Sequence, residues 1–244
     1  MLGIISDIHG NTVALEAVLA DAKKQGVEEF ICLGDVANVG PKPKDTLRIV
    51  KSLNCPVVLG NTDAWLLKPR TLDKVVKITK DTPIILDIEK WTSSQLDATE
   101  KDFIGSWPMN KKFKYKGVSI IAFHATPSDF NTMVLPSTCD AEVDEYFRGF
   151  EAELFIHGHT HSQYLRKYRG SRIMNPGSVG LPYMNLGEKS IMPTFAEYAI
   201  LGVEGGQANI RFRRIRYQLQ DILEMLKGSD MPHKDKWLEP IQQA

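Results

Sequence analysis

The sequence contains few cysteines, and no two of them are close together. Cys32, Cys55 and Cys139 are the three in a chain of 244 residues. An odd and widely spaced set argues against a disulfide framework and against a Cys-based zinc site. Cys32 and Cys55 lie in apolar runs and are predicted to be buried thiols. This cysteine usage is typical of a reducing compartment, so we expect a cytoplasmic protein.

Net charge and long hydrophobic runs are also missing. Lys plus Arg and Asp plus Glu both number 30, so no overall field attracts nucleic acid or an anionic membrane. A basic run at residues 211–216 leaves nucleic acid open as a partner, but its alternation with apolar residues favours a strand with a solvated face. Asp7 and His9 interrupt the apolar start of the chain and no 18-residue apolar run follows, which argues against a signal peptide and a membrane partner.

Short apolar runs alternate with helical patterns in the first 60 residues. The runs at residues 2–6, 29–33 and 56–59 predict strands. A helix capped by Asn11 or Thr12 is predicted after the first run, and another at residues 46–53 after the second. This order predicts two right-handed βαβ units and a parallel sheet, which binds ligands beyond the carboxyl ends of its strands.

Side chains that bind metal ions follow five apolar runs, at the points where strands are predicted to end. Asp7 and His9 are two residues apart, so on an extended backbone both point toward one ion. The set is too large for one ion and suits two, with Asp35 as the natural bridge because a carboxylate offers one oxygen to each. The candidate ligands are Asp7, His9, Asp35, Asn61, His124, His159 and His161.

Two ions at such a site can hold a phosphoryl group and generate a hydroxide between them. Nitrogen and oxygen ligands without thiolate suit Mn, Fe, Zn, Co or Ni. The sequence therefore predicts two divalent transition-metal ions as cofactors, with Mn favoured, at a site capable of phosphoryl chemistry.

The five stretches that carry the candidate ligands resemble the motif set of the calcineurin-like metallophosphoesterases, in the same order along the chain. The loop Asn175-Pro176-Gly177-Ser178-Val179-Gly180 resembles one in the smaller bacterial and archaeal members of that family. The matching motifs are Ser6-Asp7-Ile8-His9-Gly10-Asn11, Gly34-Asp35, Gly60-Asn61, His124 and Gly158-His159-Thr160-His161.

The resemblance implies an α/β fold, a four-layer αββα sandwich with mixed parallel and antiparallel sheets, and a dinuclear centre at one edge. It implies that Asp35, Asn61 and His124 take part in catalysis. By the same resemblance, metal one is held by Asp7, His9, Asp35 and His161, and metal two by Asp35, Asn61, His124 and His159.

The run Gly60-Asn61-Thr62-Asp63 departs from the family pattern. Many members have a histidine where this chain has Thr62, and that histidine assists the leaving group. A threonine hydroxyl cannot act as an acid near neutral pH. The small phosphodiesterase-like branch therefore fits better, and we expect phosphodiesters to be better substrates than monoesters.

Four further polar residues lie next to the candidate ligands. Asn11 and Asp63 are predicted to hold the ligands in place, with turn chemistry as the alternative. His157 is expected in the core or behind the ligands. Asn38 is expected either to touch the substrate phosphate or to shape its loop, with neither favoured.

The rest of the chain carries no comparable ligand cluster. We expect one domain over residues 1–244, with a helical insertion at about 65–112 that includes a helix at 93–107. Antiparallel hairpins are expected in the second half, turning near residues 170 and 205, followed by a helix at 219–226 and a polar tail from about 227.

Two alternatives to a phosphoesterase remain open from the sequence. One is a catalytically silent scaffold on the same fold, against which the complete ligand set argues. The other is a nucleotide- or metal-binding module without turnover. The expected partner is a phosphate-ester small molecule or nucleotide, and a homo-oligomer is compatible with the sequence.

Overall fold

The computed structural model describes residues 1–75, 78–79, 81–186 and 189–242. The strands are β1 (Leu2–Ile5), β2 (Glu29–Cys32), β3 (Asn110–Tyr115), β4 (Val118–Phe123), β5 (Leu154–Ile156), β6 (Gln163–Tyr168), β7 (Ser171–Pro176), β8 (Met184–Leu186), β9 (Lys189–Ile191), β10 (Phe195–Glu204) and β11 (Gln207–Arg216). The helices are α1 (Thr12–Lys24), α2 (Pro43–Ser52), α3 (Asn61–Leu67), α4 (Thr82–Gln95), α5 (Ala98–Gly105), α6 (Asp140–Tyr146), α7 (Leu219–Lys227) and α8 (Lys234–Gln242), with a 3₁₀ turn at Leu72–Lys74.

Two mixed sheets form the centre of the fold. The first has the order β11-β10-β1-β2, with β1 and β2 parallel and β10 antiparallel to β1. The second has the order β3-β4-β5-β7-β6. Its three inner strands are parallel, whereas β3 and β6 pair antiparallel at the edges. The hairpins predicted near residues 170 and 205 are confirmed as β6–β7 and β10–β11, whereas the parallel pairing of β7 with β5 was not expected.

The two sheets pack face to face with helices outside them. Between the sheets, Ile4 of β1 belongs to the same buried cluster as Ile120 of β4 and Ile156 of β5. The other face of the first sheet packs on helices that include α1 and α7. Phe123 of β4 and Phe147, next to α6, belong to the cluster that covers the outer face of the second sheet. The structure confirms the predicted αββα sandwich.

The helix that leads away from β1 begins and ends as its sequence predicts. Asn11 caps α1, since its Oδ1 accepts a hydrogen bond from the amide of Ala14 at 3.0 Å. Ala14, Leu15 and Val18 bury one face against the sheet. This packing fixes the loop at residues 6–11, which carries the first two candidate ligands.

Two elements of the first half differ from the sequence-based expectation. Residues 56–59 form only an isolated bridge, between Val57 and Cys32, because Pro56 has no N–H to donate. The helix expected at 93–107 is split, since Asp97 caps α5 by accepting a hydrogen bond from the Glu100 amide at 2.9 Å. Helices α3, α4 and α5 lie in the region expected to be a helical insertion, although α3 already begins at Asn61.

The end of the chain is more apolar in its packing than expected. Residues predicted as a polar tail form α8, in which Trp237 and Ile241 are buried. They are four positions apart, so they lie on the same face of the helix. The short β8–β9 pairing was not predicted. None of the helices in the described ranges is long and apolar enough to cross a bilayer.

Candidate metal centre

The loops after β1 and β2 bring the first candidate ligands together. Beyond the strand ends, the amide of Asp7 donates to the carbonyl of Gly34 and the amide of His9 donates to that of Asp35, both at 3.0 Å. The two loops therefore stay hydrogen-bonded to each other beyond the ends of β1 and β2. As a result Asp7, His9 and Asp35 lie at one edge of the sheet, as the strand-end pattern predicts.

Five of the seven candidate ligands have an unusual backbone conformation. Their φ angles lie between 47° and 66° in the left-handed region, which non-glycine residues seldom adopt. Such conformations persist only where the surrounding structure holds them, and they cluster at functional sites. No sequence signal indicated them. The five residues are Asp7, His9, Asp35, His159 and His161.

Each of the four candidate histidines has one ring nitrogen within hydrogen-bond distance of a backbone carbonyl. A carbonyl can only accept, so that nitrogen carries the proton, and in a neutral imidazole the other nitrogen is left with a free lone pair. The pairs are His9 Nδ1 with Asn38 at 3.0 Å, His124 Nδ1 with Leu33 at 2.7 Å, His159 Nε2 with Asn131 at 2.9 Å and His161 Nδ1 with Leu181 at 2.6 Å.

The remaining nitrogens of His9 and His161 face Asp7. The two Nε2 atoms are 3.3 Å apart, and that of His161 is 3.2 Å from Asp7 Oδ1. Among the described residues, this buried carboxylate oxygen has no hydrogen-bond partner. Lone pairs of two nitrogens and one oxygen directed at each other need a cation or a proton between them. The donor set Asp7, His9 and His161 therefore fits a metal ion.

Asp35 lies between this group and a second one. Its Oδ2 is 3.7 Å from His9 Nε2 and 3.4 Å from His124 Nε2. His124 Nε2 is also 2.9 Å from Asn61 Oδ1, and the His159 ring centroid is 5.1 Å from that of His124. One carboxylate thus touches both groups, as a bridging ligand would.

The shifted pKa values of the site show that its buried carboxylates are stabilised by positive charge on neighbouring groups. Burial raises the pKa of Asp7, but His161 outweighs it and lowers that pKa to about 2. Burial lowers the pKa of His124, but the Asp35 carboxylate outweighs it and raises that pKa to about 9. For His9 burial prevails and lowers the pKa. In the absence of a cation, protons on the imidazoles nearest the carboxylates supply the balancing charge, so metal ions and protons compete for these nitrogens.

Asp63 supports Asp35 through the backbone. Its carboxylate accepts hydrogen bonds from the amides of Asp35 at 2.6 Å and Val36 at 2.9 Å. The amide of Thr62 in turn donates to Asp35 Oδ1 at 2.9 Å. The structure thus places Asp63 directly behind the central carboxylate, where the sequence predicted a residue that orients ligands.

Asn11 and Asn38 make the loop contacts that were the alternative considered for each. Besides capping α1, Asn11 donates from Nδ2 to the Gly180 carbonyl at 3.1 Å, so its contacts fix loops and not ligands. Asn38 donates from Nδ2 to the Thr62 carbonyl at 3.1 Å and its side chain is buried. Its carbonyl, which accepts from His9, is its only contribution to the described site. These contacts agree with the loop-shaping alternative given for Asn38.

His157 belongs to the core. Its ring is stacked on Phe123, with centroids 5.9 Å apart, and its Nε2 donates to the Tyr164 hydroxyl at 2.6 Å. That hydroxyl donates onward to the Val134 carbonyl. Burial lowers the pKa of His157 to about 3. A fully buried, neutral imidazole of this kind cannot protonate a leaving group.

The loop after β7 also holds the site, and its role was only partly visible in the sequence. Ser178 Oγ donates to the Asp7 carbonyl at 2.8 Å and accepts from the Leu181 amide at 2.8 Å. The amide of Gly180 donates to the same Asp7 carbonyl at 2.9 Å. The motif at residues 175–180 pointed to this loop. Nothing in the sequence pointed to Asn131, whose carbonyl accepts from His159.

Comparison with known proteins gives matches over nearly the whole chain. Residues 1–201 match the model of the calcineurin-like phosphoesterase superfamily domain. An uncharacterized protein of Methanocaldococcus jannaschii is 27% identical over 98% of this chain and 95% of its own. A symmetrical bis(5'-nucleosyl)-tetraphosphatase of Psychromonas ingrahamii is 42% identical, but only over 26% of this chain and 24% of that enzyme.

Two solved structures are similar over almost their full lengths. A metallophosphoesterase from Sphaerobacter thermophilus has 25% sequence identity and a TM-score of 0.71, with 96% of this chain and 95% of that chain covered. A hypothetical protein from Pyrococcus horikoshii has 20% identity and a TM-score of 0.78, with 98% and 97% covered. Together with the sandwich and the converging ligand set, these matches show that the chain belongs to the calcineurin-like phosphoesterase superfamily.

Proposed function

We propose that this chain, as a single domain, hydrolyses phosphate esters with two divalent metal ions, and diesters in preference to monoesters. One observation carries the proposal. Each of the four imidazoles is held at one ring nitrogen by a backbone carbonyl. In His9, His124 and His161 the other ring nitrogen lies within 4 Å of the carboxylate of Asp7 or Asp35. Preorganised nitrogen and oxygen donors of this kind are what a catalytic pair of metal ions requires.

The proposed ligand sets share Asp35. Its Oδ1 is held by the Thr62 amide, so Oδ2 is the oxygen directed at the histidines. The set of four imidazoles, two carboxylates and one amide, without thiolate, suits Mn, Fe, Co, Ni or Zn, and we propose Mn as the ion bound. One ion would be held by Asp7, His9, Asp35 and His161, and the other by Asp35, Asn61, His124 and His159.

When bound, the ions supply Lewis acidity that withdraws charge from phosphoryl oxygens and makes water more acidic. The chain's own contribution is to hold the donors still before the substrate arrives. Asp63 fixes the peptide of Asp35, and Leu33 fixes the ring of His124. Asp35, Asn61 and His124 are the residues we propose to act closest to the reacting phosphorus.

Neither Thr62 nor His157 can act as the acid for the leaving group. The side chain of Thr62 is a hydroxyl, and His157 is buried with its pKa lowered to about 3. Substrates whose leaving groups are stable anions are therefore favoured. Aryl esters meet this condition, and so do nucleoside polyphosphates, in which the leaving group is itself a phosphate. The partial similarity to bis(5'-nucleosyl)-tetraphosphatases supports nucleotides as the substrate class.

The test combines metal analysis with an assay on matched esters. Protein loaded with Mn and freed of excess ion is expected to retain two ions per chain. It should hydrolyse bis(p-nitrophenyl) phosphate faster than p-nitrophenyl phosphate, and EDTA should abolish both reactions. Asp35→Ala should release both ions and lower turnover by several orders of magnitude, whereas Asp45→Ala, a change at a surface ion pair, should alter neither.

Two results would contradict the proposal. Protein that retains no ion after loading with Mn or Ni lacks the dinuclear centre. Protein that holds two ions but turns over no ester is a scaffold or a binding module and not an enzyme.

A further inference from the structure

A cavity of about 190 Å³ lies beside the candidate metal centre. His161 lines it, so it adjoins one of the proposed ligands directly. Tyr183 and Arg214 line it as well. Neither belongs to the proposed ligand sets.

Tyr183 is tied to the metal centre through a shared hydrogen-bond acceptor. The carbonyl of Leu181 accepts from His161 Nδ1 at 2.6 Å and from the Tyr183 amide at 2.9 Å. The rings of Tyr183 and His161 are nearly parallel, at 17°, with centroids 6.0 Å apart. The Tyr183 side chain nevertheless remains 42% exposed. An aromatic ring is thus anchored next to a ligand while much of its surface stays open.

Arg214 in the wall of the cavity is immobilised and its charge is neutralised. Its Nε and Nη2 atoms donate to Oε1 of Glu197 at 3.0 and 2.6 Å, and the Glu197 side chain is almost fully buried. The guanidinium also lies over the Phe195 ring, 4.4 Å from its centroid. Glu197 balances this charge, although the Arg214 side chain is 56% exposed. The pair therefore leaves the wall without net charge, and the exposed Tyr183 ring beside it offers a flat surface for an uncharged group.

We propose that this cavity binds the nucleoside part of a nucleotide substrate, with its base stacked on Tyr183. The inference rests on the proposed function, because the phosphate of the same molecule would lie at the metal centre beside His161. Base–aromatic stacking tolerates every base, and it strengthens binding roughly tenfold or more per base. Tyr183 is then a specificity-determining residue that selects nucleotides from among phosphate esters.

The test measures equilibrium binding, which does not depend on turnover. The dissociation constants of AMP, methyl phosphate and pyrophosphate are measured by titration calorimetry on Mn-loaded protein and repeated on metal-free protein. Wild type should bind AMP at least tenfold more tightly than methyl phosphate. Tyr183→Ala should remove most of this AMP preference, whereas Tyr183→Phe should keep it, because the phenyl ring still stacks. Phe212→Ala, which removes a similarly exposed ring outside the cavity, should also keep it.

The outcomes separate the cavity from the catalytic proposal. An AMP preference that is absent in wild type or survives in Tyr183→Ala overturns the proposal. Pyrophosphate binding that matches AMP binding and ignores Tyr183 also overturns it, since the cavity would then select charge. If the protein prefers AMP through Tyr183 but hydrolyses no ester, the binding site stands and the proposed enzyme activity falls. If esters are hydrolysed without any AMP preference, the activity stands and the cavity proposal falls.

Discussion

The Asp63 side chain holds Asp35 through the backbone amide of Asp35 and not through the Asp35 side chain. The Asp63 carboxylate accepts hydrogen bonds from the amides of Asp35 and Val36 at 2.6 and 2.9 Å. This contact fixes a left-handed residue whose φ is 54°. The free oxygen of Asp35 is thereby aimed at the histidines on both sides.

Asp63→Asn should weaken the binding of both metal ions, although it removes no ligand. The amide group cannot accept two hydrogen bonds on separate atoms, so one backbone N–H in the Asp35 loop would lose its partner. The expected loss is about 10–100-fold in Mn affinity or in kcat/KM. Metal titration of the variant measures it, with Asp102→Asn on the exposed side of α5 as the matched control. Unchanged affinity would show that the Asp35 loop is held by other contacts.

Asp129 should influence the second ion through the loop that carries Asn131. Its Oδ2 accepts from the amides of Asn131 at 3.1 Å and Thr132 at 2.6 Å, and the Asn131 carbonyl then accepts from His159. Asp129→Ala should release this loop, loosen the His159 ring, and lower affinity for the second Mn ion more than for the first. Stepwise calorimetric titration separates the two affinities, with the exposed Ser128→Ala as control. Equal weakening of both ions would argue against a selective effect on His159.

The rate of hydrolysis should depend steeply on the leaving group. A general acid typically contributes 10²–10⁴-fold, and Thr62 cannot supply one. A series of aryl and alkyl phosphodiesters of increasing leaving-group pKa is the measurement. A flat profile, with chemistry shown to be rate-limiting, would mean that another group already protonates the leaving oxygen.

Replacement of His157 tests whether it is that group. His157→Asn removes the ring stacked on Phe123 and the hydrogen bond to Tyr164. We expect the free energy of unfolding to fall by about 1–3 kcal/mol and the slope of the leaving-group series to stay the same. A steeper slope in the variant would show that His157 assists departure in spite of its burial.

The ion pair between Asp21 and Arg213 should make stability depend on pH at a place remote from the metal centre. Burial raises the pKa of Asp21, but hydrogen bonds from Arg213 and Tyr198 outweigh it, so the folded protein holds that pKa below its ordinary value. A lowered pKa means that the carboxylate stabilises the fold at pH values above the unfolded pKa, and that this stabilisation is lost as the pH falls through the folded pKa.

Asp21→Asn should therefore cost about 1.5–3 kcal/mol at neutral pH and progressively less in acid. Urea unfolding of the metal-free wild type and variant between pH 7 and pH 3 gives the difference at each pH. Tyr198→Phe, which removes one of the hydrogen bonds to Asp21, should show the same trend with a smaller amplitude. A difference that stays constant with pH would mean that the Asp21 carboxylate is not the source of the effect.

The candidate ligands could be identified from the sequence because they follow apolar runs. A strand must end at the edge of its sheet, so a ligand-type residue directly after the run lies at that edge. Asp7, His9, Asp35 and His124 follow this rule, and His159 lies in the loop after β5. The supporting carbonyls could not be identified in this way, because every residue has one. Which carbonyl accepts from a given imidazole depends on loops that are far apart along the chain, as Asn131 and His159 show.

The amphipathic end of the chain shows a different limit. Residues after 227 look polar on average, yet Trp237 and Ile241 are buried on one face of α8. Two apolar residues in a charged stretch are a weak pattern until a surface is available to cover them. The same holds for the β10–β11 hairpin. Its strands were expected from the turn at Gly205-Gly206, but not that β10 would pair with β1.

The sequence by itself determined the ligand chemistry, the strands that carry it, and the presence of a threonine at position 62 where many family members have a histidine. These follow from residue type and short-range periodicity, which any stretch of chain expresses alone. Only the tertiary structure decided the left-handed backbone at Asp7, His9 and Asp35, the tautomers of the imidazoles and the place of Tyr183 beside His161. Each of these costs free energy or needs a partner that local sequence cannot provide, so it exists only where distant loops pack together and hold it.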